Sequence, residues 1–278
     1  MDIEGSEHKT LIPFLREFRV CQIFLEIHGP ATSHTKLLNE IALLNYALFW
    51  HEPNSFTTSC CEYSFIHLDC IKRYGDFTLA QTHYKKQMPS RLRYLNNLKE
   101  DQWRLLYAVL VPEVFCPYPV RVGGVYDGGK YVCNPARMPR TNCSIYSLGI
   151  GGDMSFDEEL QTFNNNSCRI YGYDQSIQAE WLRLRYEKIN GKLKKVYISP
   201  ISQQEQDRYT IGDLVRSNND TSVEFLKMDV EGAEHKTLIP FLEEYRVCQI
   251  FLELHGSTSN HTQLLRKVAT YAPALSST

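Results

Sequence analysis

The chain carries no surplus of positive charge. Thirty Lys and Arg stand against 32 Asp and Glu, a formal net charge of -2, so nothing in it would neutralise a run of phosphates and no nucleic-acid partner is expected. Its 17 Tyr and 13 Phe are scattered, without the interleaved basic stripe that accompanies base stacking. Long hydrophobic runs are missing too. The longest, Ile41 to Trp50, covers ten residues and contains Asn45, well short of the roughly 18 that span a bilayer. Asp2, Glu4, Glu7 and His8 precede any apolar stretch, which argues against a secretory leader at this end. No CxxC pair occurs, which removes support for a zinc ribbon or a thioredoxin-type site. What remains is 278 residues, 43% of them hydrophobic, enough for one large folded domain or two small ones.

Nine cysteines are present. Cys133 and Cys143 flank a Pro-containing loop and would pair in an oxidising compartment; buried free thiols fit equally well. Asn142, Asn165, Asn219 and Asn260 each begin an Asn-x-Ser/Thr triplet, a pattern also common by chance. Asn142 precedes a buried strand and reads as a poor glycan site. Secretory and cytoplasmic origins both stay open.

The chain repeats itself. Residues 1–28 and 228–255 match at an offset of 227, and five of the 28 positions differ: Ile3/Val230, Ser6/Ala233, Arg16/Glu243, Phe18/Tyr245 and Ile27/Leu254. The register holds to about Ala42/Ala269. One copied unit of this size is too long and irregular for a solenoid. The first copy is followed by YALFWHE and EYSFIHL, which read as two strands; the second has no counterpart to them. One reading is a fragmentary join of two genes. Another is complementation, in which residues 45–70 supply two terminal strands to the C-terminal domain, and a third is two separate half-domains with the first poorly folded. The division expected is 1–75 as a partial copy, 76–118 as a helical lead-in, and 119–278 as a core without its last two strands.

From residue 140 strands and helices alternate, which implies a doubly wound, mostly parallel α/β sheet. Strands are expected at Ser144–Leu148, Arg169–Tyr173, Leu193–Ile198, Val223–Met228 and Val247–Leu254. Helices are expected over Ile177–Ile189, around Ile211–Arg216, and over Ala233–Leu242 and Asn260–Ala269. Ser155 and Glu158 have the spacing of a capping box. The polar residues Gly149, Asp174, Asp229, Glu253 and His255 gather at strand ends, where open α/β sheets bind ligands.

The first strand runs into Gly149-Ile150-Gly151, a nucleotide-type loop. Asp174 follows 25 residues after Gly149, placed to accept both hydroxyls of a ribose. A dinucleotide fingerprint would need glycine at 154, which is Met154. A ligand with one ribose and no phosphate fits better, and S-adenosylmethionine is such a ligand.

The blocks YSLGIGGDMSFDEEL, IYGYDQS, VEFLKMDVEGAEHKTL and CQIFLELHG, in that order, resemble the FkbM-type class I methyltransferases, and among these the branch around methyltransferase-like protein 24. RVGGVYDGGKYVCNP resembles that branch's lead-in. The resemblance covers roughly residues 105–270, and residues 1–75 resemble the family's C-terminal third. It implies a Rossmann-like sheet of seven strands and S-adenosylmethionine as cofactor. Gly149 and Gly151 would pass under the methionine part, Asp174 would hold the ribose, and Asp127, Gly128 and Gly129 would lie near the mouth. Asp229, Glu231, Gly232 and Glu234 would stand beside the transferred methyl. The family usually has an acid at the position of Ser147, and Asp153 is the carboxylate expected to compensate.

Methyl transfer to a hydroxyl needs an aligned acceptor and a base. Asp229, Glu231 and His255 are the candidates, with Glu253 nearby; the same group could instead hold a divalent cation. Glu234 and Lys236 read most simply as a solvated helix face. The acceptor expected is a small molecule or glycan-like. The alternative function is a catalytically inactive relative that keeps the fold as a binding module. The sequence is silent on oligomeric state.

Overall fold

A computed structural model describes the chain except residues 54–59, 74–76, 111–115, 117, 126, 177–178 and 272–278. The chain divides into two compact units, Met1–Phe115 and Cys116–Thr278.

The N-terminal unit contains α1 (Glu7–Glu17), β1 (Gln22–His28), α2 (Ala31–Leu43), β2 (Tyr46–Pro53), β3 (Cys60–His67), α3 (Phe77–Asn96) and α4 (Trp103–Val109). Its sheet has the order β1-β3-β2. β3 lies antiparallel to both neighbours, with Phe24 opposite Ser64 and Ala47 opposite Ile66. Leu11, Leu15, Ile23, Leu25, Ile27, Leu37, Ile41 and Phe65 form its core. Cys21 and Cys70 are joined by a disulfide.

This pairing differs from the one that the complementation reading requires. The strands at 46–53 and 60–67 join β1, the copy beside them in the chain, in a sheet separate from that of residues 247–252. The physical reason is proximity. Both strand sets carry the same QIFLE face, and the shorter connection closes at lower entropic cost.

The C-terminal unit begins with the antiparallel pair β4 (Pro119–Val122) and β5 (Lys130–Cys133). Then follow β6 (Ser144–Leu148), α5 (Ser155–Thr162), β7 (Arg169–Asp174), α6 (Glu180–Lys188), β8 (Gly191–Lys195), β9 (Tyr197–Ile198), β10 (Arg208–Tyr209), α7 (Ile211–Ser217), β11 (Val223–Met228), α8 (Glu234–Glu244), β12 (Val247–Leu252) and α9 (Thr258–Tyr271). Five strands form one parallel sheet in the order β12-β11-β6-β7-β8. All five residues of β6 are buried, as expected of a central strand covered on both faces. Ile145, Phe156, Leu160, Ile170, Leu182 and Tyr186 pack on one face; Tyr146, Leu148, Leu214, Leu226, Leu238 and Phe241 pack on the other. This is the doubly wound α/β sheet that the alternation implies.

Several expectations need adjusting. The strand at 193–198 is two strands: β8 belongs to the main sheet, and β9 leaves it to pair with β10. The helix expected from Ile177 runs as α6 from Glu180; residues 177–178 lie outside the described residues. Ser155 makes no capping box, for the residue preceding α5 is Met154 and no side chain caps it. Ser155 instead accepts a hydrogen bond from Gly124 N–H through Oγ at 2.9 Å. Cys133 and Cys143 do not pair with each other. Cys133 joins Cys116, and Cys143 joins Cys168 across the starts of β6 and β7, because parallel neighbouring strands bring those two residues together.

Candidate functional site

The site grows from the ends of β6, β7 and β11. Because these strands are parallel and adjacent, their carboxyl ends open on one side of the sheet. A cavity of about 240 Å³ lies there, lined by Gly149, Ile150, Gly151, Asp153, Asp174, Lys227, Asp229 and Glu231 among others. Asp127 and Gly128 close one wall, and Tyr173 and Tyr197 contribute aromatic surface.

The bend after β6 can be made only by glycine at its first position. Gly149 has φ +78°, and a β-carbon there would lie 1.6 Å from the Asp229 carbonyl oxygen. Gly151 also has positive φ, with open space where a side chain would stand. Two groups hold this bend. Lys227, 4% exposed, donates from Nζ to the Gly149 carbonyl at 3.1 Å. Asp174 Oδ2 accepts from the N–H groups of Ile150 and Gly151, both at 2.9 Å.

Asp174 is more heavily engaged than a ribose contact alone requires. Its Oδ1 accepts from Ser176 N–H at 2.8 Å and from Ser176 Oγ. With Oδ2 also accepting two bonds, the roughly four lone-pair positions of a carboxylate are filled. Burial raises its pKa, but the bonds from Ser176, Gly151 and Ile150 outweigh burial, and the net shift is downward. The group is therefore a stable anion. A diol would reach it by replacing the Ser176 hydroxyl, the most freely rotating of its donors.

Asp153 lines the cavity and turns both carboxylate oxygens toward Ser155, which donates from N–H at 2.9 Å and from Oγ at 3.1 Å. Gly128, at φ +71°, sits where a β-carbon would lie 2.9 Å from Asp153 Oδ2. The DGG stretch thus abuts the glycine bend, at the cavity wall.

Ser147 does not line the cavity. It is fully buried, because alternation along β6 turns it to the face covered by α5 and α6. Its surroundings there include Asp157 and Tyr186. Tyr186 donates its hydroxyl to Asp157 Oδ2. Burial drives the Asp157 pKa upward, against the opposing charge of Lys227. Sequence reading passed over both Asp157 and Lys227, although a lone Lys inside the apolar run VEFLKM was a visible signal of a buried charge.

The turn after β11 carries the second group. Glu231 is left-handed at φ +52° and Gly232 follows at +97°. A non-glycine residue in that region costs on the order of 1 kcal/mol, a strain common at functional turns. Glu234 is fully buried, which corrects its reading as part of a solvated face. Its Oε2 accepts from Gly232 N–H at 2.9 Å. Its Oε1 accepts from His255 N–H at 2.6 Å and meets His255 Nδ1 at 3.0 Å. The second imidazole nitrogen, Nε2, then lies 3.8 Å from Asp229 Oδ1 and 3.5 Å from Glu231 Oε2.

Asp229, Glu231 and His255 are therefore brought together, with ligand atoms within 4.8 Å of one another. Asp229 has its pKa raised, first by burial and then by the charge of Glu253, against the pull of Lys227, His255 and Lys130. Burial lowers the His255 pKa, but the bond and charge of Glu234, with the charges of Glu231 and Asp229, raise it by more. The arrangement favours the protonated imidazole and raises the basicity of the Asp229 carboxylate. Glu253 stands 3.1 Å from Lys130 Nζ.

The family model described as a methyltransferase domain matches residues 75–276, and the chain belongs to that family. No curated protein and no solved structure matches the chain. Among the described residues no helix is long and apolar enough to cross a membrane.

Proposed function

We propose that the C-terminal unit binds S-adenosylmethionine and directs its methyl group to an oxygen of a small-molecule or glycan-like acceptor. One observation carries the reading: the cavity at the glycine bend is lined by five carboxylates, Asp127, Asp153, Asp174, Asp229 and Glu231, against a single lysine. Lys227 is committed to the Gly149 carbonyl. A pyrophosphate would meet strong repulsion there, whereas a ligand with a sulfonium and an ammonium would be attracted. The volume of about 240 Å³ lies just under the roughly 300 Å³ at which ligand pockets usually begin, which favours one nucleoside over two.

In this assignment Gly149 and Gly151 let the backbone approach the methionine part. Asp174 takes the ribose by exchanging Ser176, and Asp153 with Asp127 faces the ammonium. Bound there, S-adenosylmethionine supplies an electrophilic methyl group. Asp229 accepts the acceptor's hydroxyl proton through its carboxylate, and the upward shift of its pKa makes it a stronger base for that task. His255, fixed by Glu234, orients Asp229. Glu231 narrows the approach on the solvent side. The four ordered sequence blocks support the finer placement in the FkbM type and its methyltransferase-like protein 24 branch.

The test is a thermal-shift and transfer assay on the full chain. S-adenosylmethionine should raise the melting temperature, and NAD should not. Asp229→Asn should keep the cofactor shift while transfer falls by a factor of about 100 or more. No shift with S-adenosylmethionine would overturn the cofactor assignment. Normal transfer by Asp229→Asn would overturn the role of that residue.

A further inference from the structure

The four Asn-x-Ser/Thr triplets, and the three disulfides among the described residues, lie outside the lining of the cavity. We infer that this chain is oxidised and N-glycosylated, with glycans on Asn165 and Asn219 and none on Asn142 or Asn260. The chemistry joins the asparagine Nδ2 to the anomeric carbon of a lipid-diphosphate-linked oligosaccharide. The carbon–oxygen bond to the diphosphate breaks, the lipid diphosphate leaves, and the amide gives up one proton.

The structure sorts the four positions. Asn165 lies in the turn after α5, at φ +56°, with Asn166 also at +56°. Asn165, Asn166 and Ser167 are all exposed; the Ser167 hydroxyl donates to the carbonyl of neighbouring Asn164 at 2.5 Å, within the same exposed turn. Asn219 lies just beyond α7, at φ +58°, and both it and Thr221 are exposed.

The other two fail for separate reasons. Asn142 is exposed, but its Ser144 is a buried residue of β6 whose Oγ donates to the Ser222 carbonyl at 2.9 Å. The Cys143 between them is tied to Cys168. Asn260 lies in α9 with its amide nitrogen against Gly256, where a β-carbon would come within 3.1 Å. Thr262 is buried and donates to the Thr258 carbonyl at 2.8 Å. A sugar on Asn260 Nδ2 would displace that packing.

The disulfides supply an independent argument for the compartment. Cys21–Cys70, Cys116–Cys133 and Cys143–Cys168 are all paired, and such bonds persist where oxidising conditions hold, the same setting in which asparagine glycans are added. Each forms when two thiols give up two electrons and two protons to a disulfide-bearing exchange partner, which is itself reduced to a dithiol.

The experiment takes the full chain from its own cells and alkylates it before and after reduction. Peptide-N-glycosidase then converts each glycan-bearing Asn to Asp, read by peptide mass spectrometry. Conversion is expected at Asn165 and Asn219, and the six paired cysteines should resist alkylation until reduced. Ser167→Ala and Thr221→Ala, both exposed and outside the cofactor site, should each remove one glycan step in gel mobility with cofactor binding unchanged. Conversion at neither Asn165 nor Asn219, conversion at Asn142 or Asn260, or alkylation of the six cysteines without reduction would overturn the inference.

Discussion

The two copies of the repeated segment fold alike in detail and differ in what surrounds them. Glu4 and Glu231 share φ +52°, Gly29 and Gly256 share φ +114°, and Gly5 and Gly232 stand at +93° and +97°. In the first copy Glu7 is fully buried, as Glu234 is in the second. Glu7 Oε1 accepts from His28 N–H at 2.8 Å, and Glu234 Oε1 accepts from His255 N–H at 2.6 Å. The carboxylate–histidine turn is thus a local product of about 28 residues. The cavity at the glycine bend is not. It needs the glycine bend of β6 and Asp174 of β7, and among the described residues the first copy's sheet contains neither. The same letters therefore gather acids around a histidine in both units, and in the C-terminal unit that group adjoins the cavity at the glycine bend. The sheets also differ: β12 borders β11 in parallel, while β1 borders β3 antiparallel. Reading β1 as β12 joins the two strand orders into one of seven strands, the number that the methyltransferase resemblance implies.

The largest expected effect breaks the C-terminal unit alone. Gly149→Ala places a carbon 1.6 Å from backbone at Asp229 and should cost upward of about 4 kcal/mol, or prevent folding of that unit. Gly5→Ala and Gly232→Ala meet no atom within 4 Å and should each cost about 1 kcal/mol from the positive φ alone. Chemical denaturation followed separately for each unit would show the contrast; equal losses for Gly149 and Gly5 would contradict the packing described.

A buried carboxylate replaced by its amide tests the shared turn. Glu7→Gln and Glu234→Gln should each destabilise their own unit by about 1–3 kcal/mol, since a buried donor loses its charged acceptor. Methyl transfer should fall only in Glu234→Gln. Equal losses of transfer in both variants would show that the first copy is part of the catalytic unit.

A smaller effect concerns pH. The folded pKa of His255 is raised. Its contribution to stability is fully present below the unfolded value near 6.5 and is lost as pH rises through the folded value. Denaturation midpoints measured from pH 5.5 to 9 should therefore decline in the native chain, and His255→Gln should flatten the part of that decline above about pH 6.5. A steeper slope in the variant would contradict the upward shift of the His255 pKa.

Much of the main sheet was legible in sequence, for a physical reason. Ser144–Leu148, Arg169–Asp174 and Val223–Met228 are short apolar runs ending in Gly or Asp, and a strand buried on both faces leaves that trace. Local turn chemistry was legible too, since glycine at 149 admits a bend that other residues do not. Long-range choices were not. Which cysteine faces which depends on strand order, so Cys143 meets Cys168 rather than nearer Cys133. The direction in which Ser147 points depends on the face that α5 and α6 cover. Glu234 looked like a surface acid because the helix pattern does not reveal that its first turn is sealed against the end of β12.

Calorimetric titration of the full chain with S-adenosylmethionine tests the central claim most directly. The account predicts one binding site per chain, retained in Asp2→Asn. Absence of heat at millimolar ligand would contradict it, as would two equivalent sites per chain.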